Sequence, residues 1–296
     1  MSSPCSATSF DEGFISFESN KSFDNKTNLQ DGLPTSKQTQ NQLKSLYSIK
    51  DQIYDNGTAR LYKATCRKTH QPVVIKRMLK SKSVPDEIIL AMKANNACPN
   101  YTLPVLFTAE DQKYYTYVQP FFGKSLYDFM AERNDCLSMD EARYVYKQVL
   151  VCLIILQEQA GIYHLDIKEE NILIDPNTYS IKLIDFGVSR TSPVPKDRIV
   201  GSKEFYSPEI YLGQSSTDSI PKHDVWSLAV SIFSSLSGRT PYENLGDVLN
   251  GEERINMNNV SHLLDDKLCK VFRNMFVLNY RKRVSLRKLL DFEFFA

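Results

Sequence analysis

The sequence predicts an α+β fold of two lobes, a small antiparallel β-rich N-lobe with one helix and a larger helical C-lobe. Three observations lead there. Short β-favouring runs separated by tight turns fill residues 48–79, the hydrophobic period changes from strand-like to helical after Gly123, and two long apolar helices follow. The 296 residues suit one two-lobed unit, because a single core rarely grows past about 250–300 residues.

The chain opens on a polar stretch. Residues 1–41 contain 19 Ser, Thr, Asn or Gln and almost no aliphatic residues, too little apolar area to offset chain entropy. Residues 1–45 are therefore expected to be a disordered tail. Within it Phe10, Phe14 and Phe17 fall at i, i+4 and i+7. Chance spacing accounts for this; the other reading is a short motif that folds on a docking partner.

Strands are expected over Ser48–Asp55, Ala59–Arg67 and Pro72–Leu79, joined by Asp55-Asn56-Gly57 and Lys68-Thr69-His70-Gln71, connections short enough to impose antiparallel pairing. Ser83-x-Pro85 opens a helix through about Ala94, and two more strands read as Val105–Thr108 and Tyr114–Gln119. Ser138-x-x-Glu141 is a capping box before a long helix, Ala142 to Gln159, closed by Gly161. Its apolar residues run almost all round, so it should be central and buried. A second buried helix runs from Asp224 to Ser237 and stops at Gly238, and Asp265–Leu278 and Ser285–Asp291 read as amphipathic helices.

Composition excludes several classes of function. Hydrophobic residues make up 42% and charged residues 24%, and Lys+Arg 36 against Asp+Glu 35 gives a net charge of +1. No basic stripe for nucleic acid emerges, because basic runs such as 76–82 are followed by acids, here Asp86 and Glu87. The six cysteines form no C-x-x-C pair, so neither a zinc site nor a disulfide framework is expected. The longest apolar run, Val149 to Leu156, is far shorter than the ~18–20 residues of a membrane span, and the N-terminus lacks the pattern of a signal peptide. A cytoplasmic or nuclear location is expected, neither secreted nor membrane-bound.

Between the two central helices lie His164-Leu165-Asp166-Ile167-Lys168-Glu169-Glu170-Asn171, then Leu183-Ile184-Asp185-Phe186-Gly187, then Gly201-Ser202-Lys203-Glu204-Phe205-Tyr206-Ser207-Pro208-Glu209. In this order they resemble the H-x-D-x-K-x-x-N, D-F-G and A-P-E motifs of eukaryotic protein kinases. The wider strings around Asp166 and Asp185 look most like the calmodulin-dependent and Pim-like branch. The resemblance runs from about Leu46 to Phe295 and implies a kinase domain over 46–296, with N-lobe 46–119, hinge 119–123 and C-lobe 124–296. It implies ATP and Mg²⁺ as cofactors.

Phosphoryl transfer needs carboxylates to hold metal, a cation for phosphate and a carboxylate near the attacking hydroxyl. On the resemblance Asp185 and Asn171 hold Mg²⁺, Asp166 orients the substrate hydroxyl and accepts its proton, and Lys168 neutralises the γ-phosphate. Lys76, in Val73-Val74-Ile75-Lys76, stands where the family has V-A-I-K, with Glu87 as its partner on the following helix. Their separation is shorter than the family usually shows, which implies a helix starting almost at Glu87; favouring the helix N-terminus is the other role open to Glu87. Leu61, Val74 and Leu173 would sandwich adenine, Gln119 and Phe121 belong to the hinge with the Phe121 amide as donor, and Val118 would form the rear wall.

The phosphate-covering loop departs from the pattern. Aligning Ile53 to Leu61 on G-x-G-x-x-G-x-V puts Tyr54, Asn56 and Ala59 at the three glycine positions. Glycine there lets amides approach phosphate and take positive φ; Asn56 and the adjacent Gly57 keep a turn, whereas Tyr54 and Ala59 should stiffen it and weaken ATP binding. A pseudokinase scaffold that binds partners with little or no catalysis is therefore the rival reading. The arginine of the family's H-R-D is Leu165 here, which removes the usual docking cation for a phosphate on the 187–207 loop, where Lys196 and Arg198 are among the basic residues. Activation without loop phosphorylation is expected. Lys168 and Gly201-Ser202 resemble serine/threonine kinases, and Glu170 and Glu204 occupy positions where family members that favour Arg- or Lys-rich residues upstream of the target Ser or Thr place acids; solvated surface glutamates are the other reading. Asp224 is expected to cap catalytic-loop amides and Arg283 to pair with Glu209.

Overall fold

The computed structural model describes residues 36–80, 86–191, 201–251, 255 and 265–296, and opens on a helix where a tail is expected. Helix α1 (Ser36–Leu46) is polar along most of its length; its C-terminal end explains why it forms. Leu43 is buried with Tyr47, Ile75 and Val118. The last carbonyls, which a helix leaves unsatisfied, accept from Arg67: Nε to Lys44 O at 3.0 Å and the amide to Leu46 O at 2.8 Å. The disordered tail expected over 1–45 is thus corrected over 36–45. Phe10, Phe14 and Phe17 lie outside the described residues.

The expected meander follows. Strands β1 (Tyr47–Asp55), β2 (Ala59–Cys66) and β3 (Pro72–Leu79) pair antiparallel. After α2 (Asp86–Ala97), β4 (Phe107–Glu110) and β5 (Tyr114–Pro120) complete a five-stranded sheet of order β1-β2-β3-β5-β4. Register decides what reaches the cleft, because successive residues of a strand face opposite sides. The β3–β5 pairs are Val74↔Gln119, Ile75↔Val118 and Lys76↔Tyr117. Ile75 and Val118 are buried with Leu43 under α1, so Val74, Lys76, Tyr117 and Gln119 share the other face.

The C-lobe begins with β6 (Lys124–Ser125), α3 (Leu126–Arg133) and α4 (Met139–Gln159). The capping box holds α4 at its start: Ser138 Oγ accepts the Glu141 amide at 3.3 Å and Glu141 Oε2 accepts the Ser138 amide at 2.8 Å. Short strands β7 (Ile162–Tyr163), β8 (Ile172–Ile174), β9 (Ile181–Leu183) and β10 (Arg190–Thr191) follow, with β6, β8 and β9 in one sheet. Helices α5 (Pro208–Tyr211), α6 (Ile220–Ser237), α7 (Leu245–Asn250), α8 (Asp266–Met275) and α9 (Leu286–Leu289) complete the lobe. Helix α6 begins at Ile220 rather than Asp224, with Pro221 in a first turn that needs no amide donor. It ends at Gly238, whose φ of +68° suits glycine.

One apolar core joins Val149 and Leu153 of α4, Leu228 and Ile232 of α6 and Phe272 of α8, and it reaches Leu90, Ala91 and Ala94 of α2. Below it Arg283 makes two bonds to the Glu209 carboxylate, at 2.8 and 2.9 Å. Both side chains are almost fully buried.

Candidate active site

The loop between β7 and β8 is built on Asp224 of α6. Its two carboxylate oxygens accept the amides of His164 at 3.1 Å and Leu165 at 2.8 Å. Leu165 has φ of +67°, a conformation unfavourable for a side chain with a Cβ, and these bonds help hold it. The turn presents Asp166. Its Oδ2 receives Asn171 Nδ2 at 2.9 Å and Lys168 Nζ at 3.1 Å, and its Oδ1 the Ser202 amide at 3.0 Å. Lys168 also donates to Ser202 Oγ at 2.6 Å. Asn171 Nδ2 bonds the Asp166 carbonyl at 2.8 Å as well, so its carboxamide oxygen is the atom left for a cation.

Above this loop Lys76 Nζ lies 2.7 Å from Glu87 Oε1 and 3.1 Å from Asp185 Oδ1. Burial pulls the Lys76 pKa down, but the negative charges of Asp185 and Glu87 outweigh it and hold the ammonium well above its ordinary value. Desolvation raises the Asp185 pKa; the Lys76 charge and the Gly187 amide offset that and leave the carboxyl below its usual range. Asp185 has φ of +64°. Phe186 is buried, and its ring meets His164 edge-on, with centroids 5.2 Å apart. A Cβ on Gly187 would stand 3.0 Å from Glu87 Oε2 and 3.1 Å from Asp185 Oδ1, so a side chain there would press on both carboxylates.

The flap is closed on itself. Asn56 Oδ1 accepts the amides of Thr58 at 3.0 Å and Ala59 at 2.7 Å, while Asp55 Oδ1 accepts the Gly57 amide at 2.8 Å. The Asn56 amide bonds Ala59 O at 3.2 Å. Every amide from 56 to 59 has an internal acceptor, and Asn56 and Asp55 supply three of them through their side chains. Asp-Asn-Gly-Thr carries a readable signal for this, since Asp and Asn side chains cap backbone amides two residues on. Ile53, Tyr54 and Gly57 are exposed; Leu61 is partly buried on β2 opposite Lys76.

Two hinge expectations are corrected. The Phe121 amide donates to Pro72 O at 3.0 Å, which occupies the donor assigned to adenine. Val118 is fully buried on the α1 side of the sheet, so it forms no rear wall. The β5 side chains on the cleft face are Tyr117 and Gln119, and Gln119 Nε2 donates to Leu103 O at 3.1 Å. Leu173, between the buried Ile172 and Ile174 of β8, is the partly buried residue left to line the C-lobe side.

The two residues assigned to Mg²⁺ offer hard oxygen donors: the Asp185 carboxylate, its side chain 43% exposed, and the Asn171 carboxamide. Among the described residues no three His, Cys, Asp or Glu side chains cluster to hold a metal. Such a sparse oxygen set fits Mg²⁺, which keeps waters and shares phosphate oxygens rather than entering an all-protein cage. Among the described residues no helix is long and apolar enough to cross a membrane.

A β-rich lobe with a lysine–carboxylate pair, set over a helical lobe with an aspartate–asparagine loop, defines the catalytic fold of a eukaryotic serine/threonine protein kinase. Residues 47–295 match the family model described as "Protein kinase domain", and the chain belongs to that family. It is 32% identical to serine/threonine-protein kinase PSK2 of Saccharomyces cerevisiae over 75% of this chain and 21% of the relative. Sperm motility kinase 2B of Mus musculus is 30% identical over 67% of the chain and 40% of the relative. Serine/threonine-protein kinase prk-2 of Caenorhabditis elegans is 27% identical over 69% and 48%. The chain thus spans less than half the length of these relatives.

Proposed function

We propose that this chain transfers the γ-phosphate of ATP to Ser or Thr of protein substrates, and that among kinases it stands nearest the calmodulin-dependent and Pim-like branch. The observation that carries the reading is the convergence of Lys76, Asp166, Asn171 and Asp185, each held by named partners. Asp166, steadied by Asn171, Lys168 and the Ser202 amide, orients the hydroxyl and takes its proton as the oxygen attacks. Lys168 stands beside Asp166 to offset charge on the transferring group, and Lys76 holds the α- and β-phosphates. Asp185 and Asn171 hold Mg²⁺, which neutralises the β- and γ-phosphates when bound. Leu61, Val74 and Leu173 enclose adenine, with Gln119 at its edge.

Two further features support the reading. Leu165 is buried with Ile210, Ile220, Val188 and Tyr206, so the catalytic loop and the segment around Pro208 are joined by apolar packing where the family uses an arginine and a phosphate. This supports activity without loop phosphorylation, although residues 192–200, including Lys196 and Arg198, lie outside the described residues. Glu170 and Glu204 are exposed, as recognition of a basic peptide requires. The self-closed flap favours the second reading, a pseudokinase scaffold.

The test is transfer from radiolabelled ATP to a peptide library by phosphatase-treated protein. Label is expected on Ser/Thr peptides with upstream Arg or Lys, and none with Asp166→Asn. Transfer by Asp166→Asn at the parent rate would remove the base assignment, and no transfer by the parent would favour the scaffold.

A further inference from the structure

Tyr117 has no part in the transfer described above, yet its hydroxyl lies inside the Lys76–Glu87 pair. It faces Lys76 across the β3–β5 register, is 4% exposed, and packs with Met78 of β3 and Ile88 of α2. Its phenol donates to Glu87 Oε1 at 2.8 Å, the same oxygen that Lys76 meets at 2.7 Å. Burial and the Glu87 carboxylate push the phenol pKa well above its ordinary value, so it remains a donor.

The arrangement divides labour between the two donors. Lys76 is shared between Glu87 and Asp185, and in the proposed reaction a nucleotide's phosphates also draw on its ammonium. The phenol serves Glu87 alone. Glu87 is 7% exposed, and a buried carboxylate that loses a donor has little water to replace it. A bond from β5 therefore keeps the carboxylate, and α2 with it, against the sheet while Lys76 shifts toward phosphate.

We propose that Tyr117 is a positioning residue whose hydroxyl clamps Glu87 and keeps α2 docked, so that Lys76 stays aligned with Asp185 independently of loop phosphorylation. Its kinetic consequence rests on the kinase reading; its structural consequence does not.

Tyr117→Phe in the full chain keeps the ring and removes the hydroxyl. Hydrogen–deuterium exchange over Asp86–Ala97 is expected to speed up about tenfold, the scale of a hydrogen bond to a charged group, with exchange in α6 unchanged. In transfer assays kcat should fall about tenfold while KM for peptide stays put. In a Glu87→Ala background the same change should add nothing, because the acceptor is gone. Unchanged exchange over α2 in Tyr117→Phe, or an equal effect with and without Glu87, overturns the proposal. If the parent transfers no phosphate, the kinase reading falls and exchange alone decides the role of Tyr117. Should Tyr117→Phe alone fail to fold, Glu87→Ala serves: α2 exchange at the parent rate in that variant also overturns the clamp.

Discussion

Asn56 Oδ1 accepts two amides and the Thr58 hydroxyl at distances between 2.7 and 3.0 Å, and this one side chain makes the flap tip self-sufficient. In Asn56→Gly the turn survives and the amides of Thr58 and Ala59 become available. KM for ATP is expected to fall at least about threefold, a modest share of what charge-assisted bonds contribute, as read from initial rates at fixed peptide. Tyr54→Gly with Ala59→Gly should do less, because the Ala59 amide stays with Asn56; the reverse order of effects would refute the internal-cap account. Asp166, Lys168, Asn171 and Asp185 were legible from their order because a loop motif carries its geometry locally. The faces of Val118, Gln119 and Tyr117 were not, because they depend on a register that only pairing β5 to β3 supplies.

At the scale of elements, the described end of α1 is seated by Leu43 and capped by Arg67. Leu43→Ala removes the contact with Tyr47, Ile75 and Val118 and is expected to destabilise the fold by about 2–3 kcal/mol, measured by urea unfolding. A loss below about 0.5 kcal/mol would mean that the Arg67 bonds alone seat the helix. Strands and long helices were legible from period and turn residues, and Ser138-Glu141 marked the start of α4 to within one turn. Helix α1 was not, because its sequence is polar and its seat depends on distant groups: the apolar cluster around Leu43 and Arg67, just past the end of β2, which donates to its last carbonyls. Helix α2 starting at Asp86 agrees with the short Lys76–Glu87 spacing in the sequence.

For the whole molecule the buried acid Glu169 sets a pH dependence. It is 3% exposed and bonded to Ser234 and to Ser235 Oγ. Burial, the largest cause, pushes its pKa from 4.5 up to about 7. Below about 4.5 both folded and unfolded chains hold the proton, and the contribution is fully present. Above it the unfolded chain releases the proton first, so stability falls as pH rises, by about 3 kcal/mol once pH passes 7. Glu169→Gln cannot ionise; urea midpoints should match the parent near pH 4 and exceed it at pH 8, and identical pH slopes would exclude Glu169 as the source. The seat of α1 has a different consequence. Ile75 and Val118 under the helix alternate with Val74, Lys76, Tyr117 and Gln119 in the cleft, so helix and cleft press on opposite sides of the same two strands. A shift of α1 over Ile75 and Val118 therefore reaches the cleft side chains through a single peptide thickness: the sheet acts as a diaphragm, deflected from either surface.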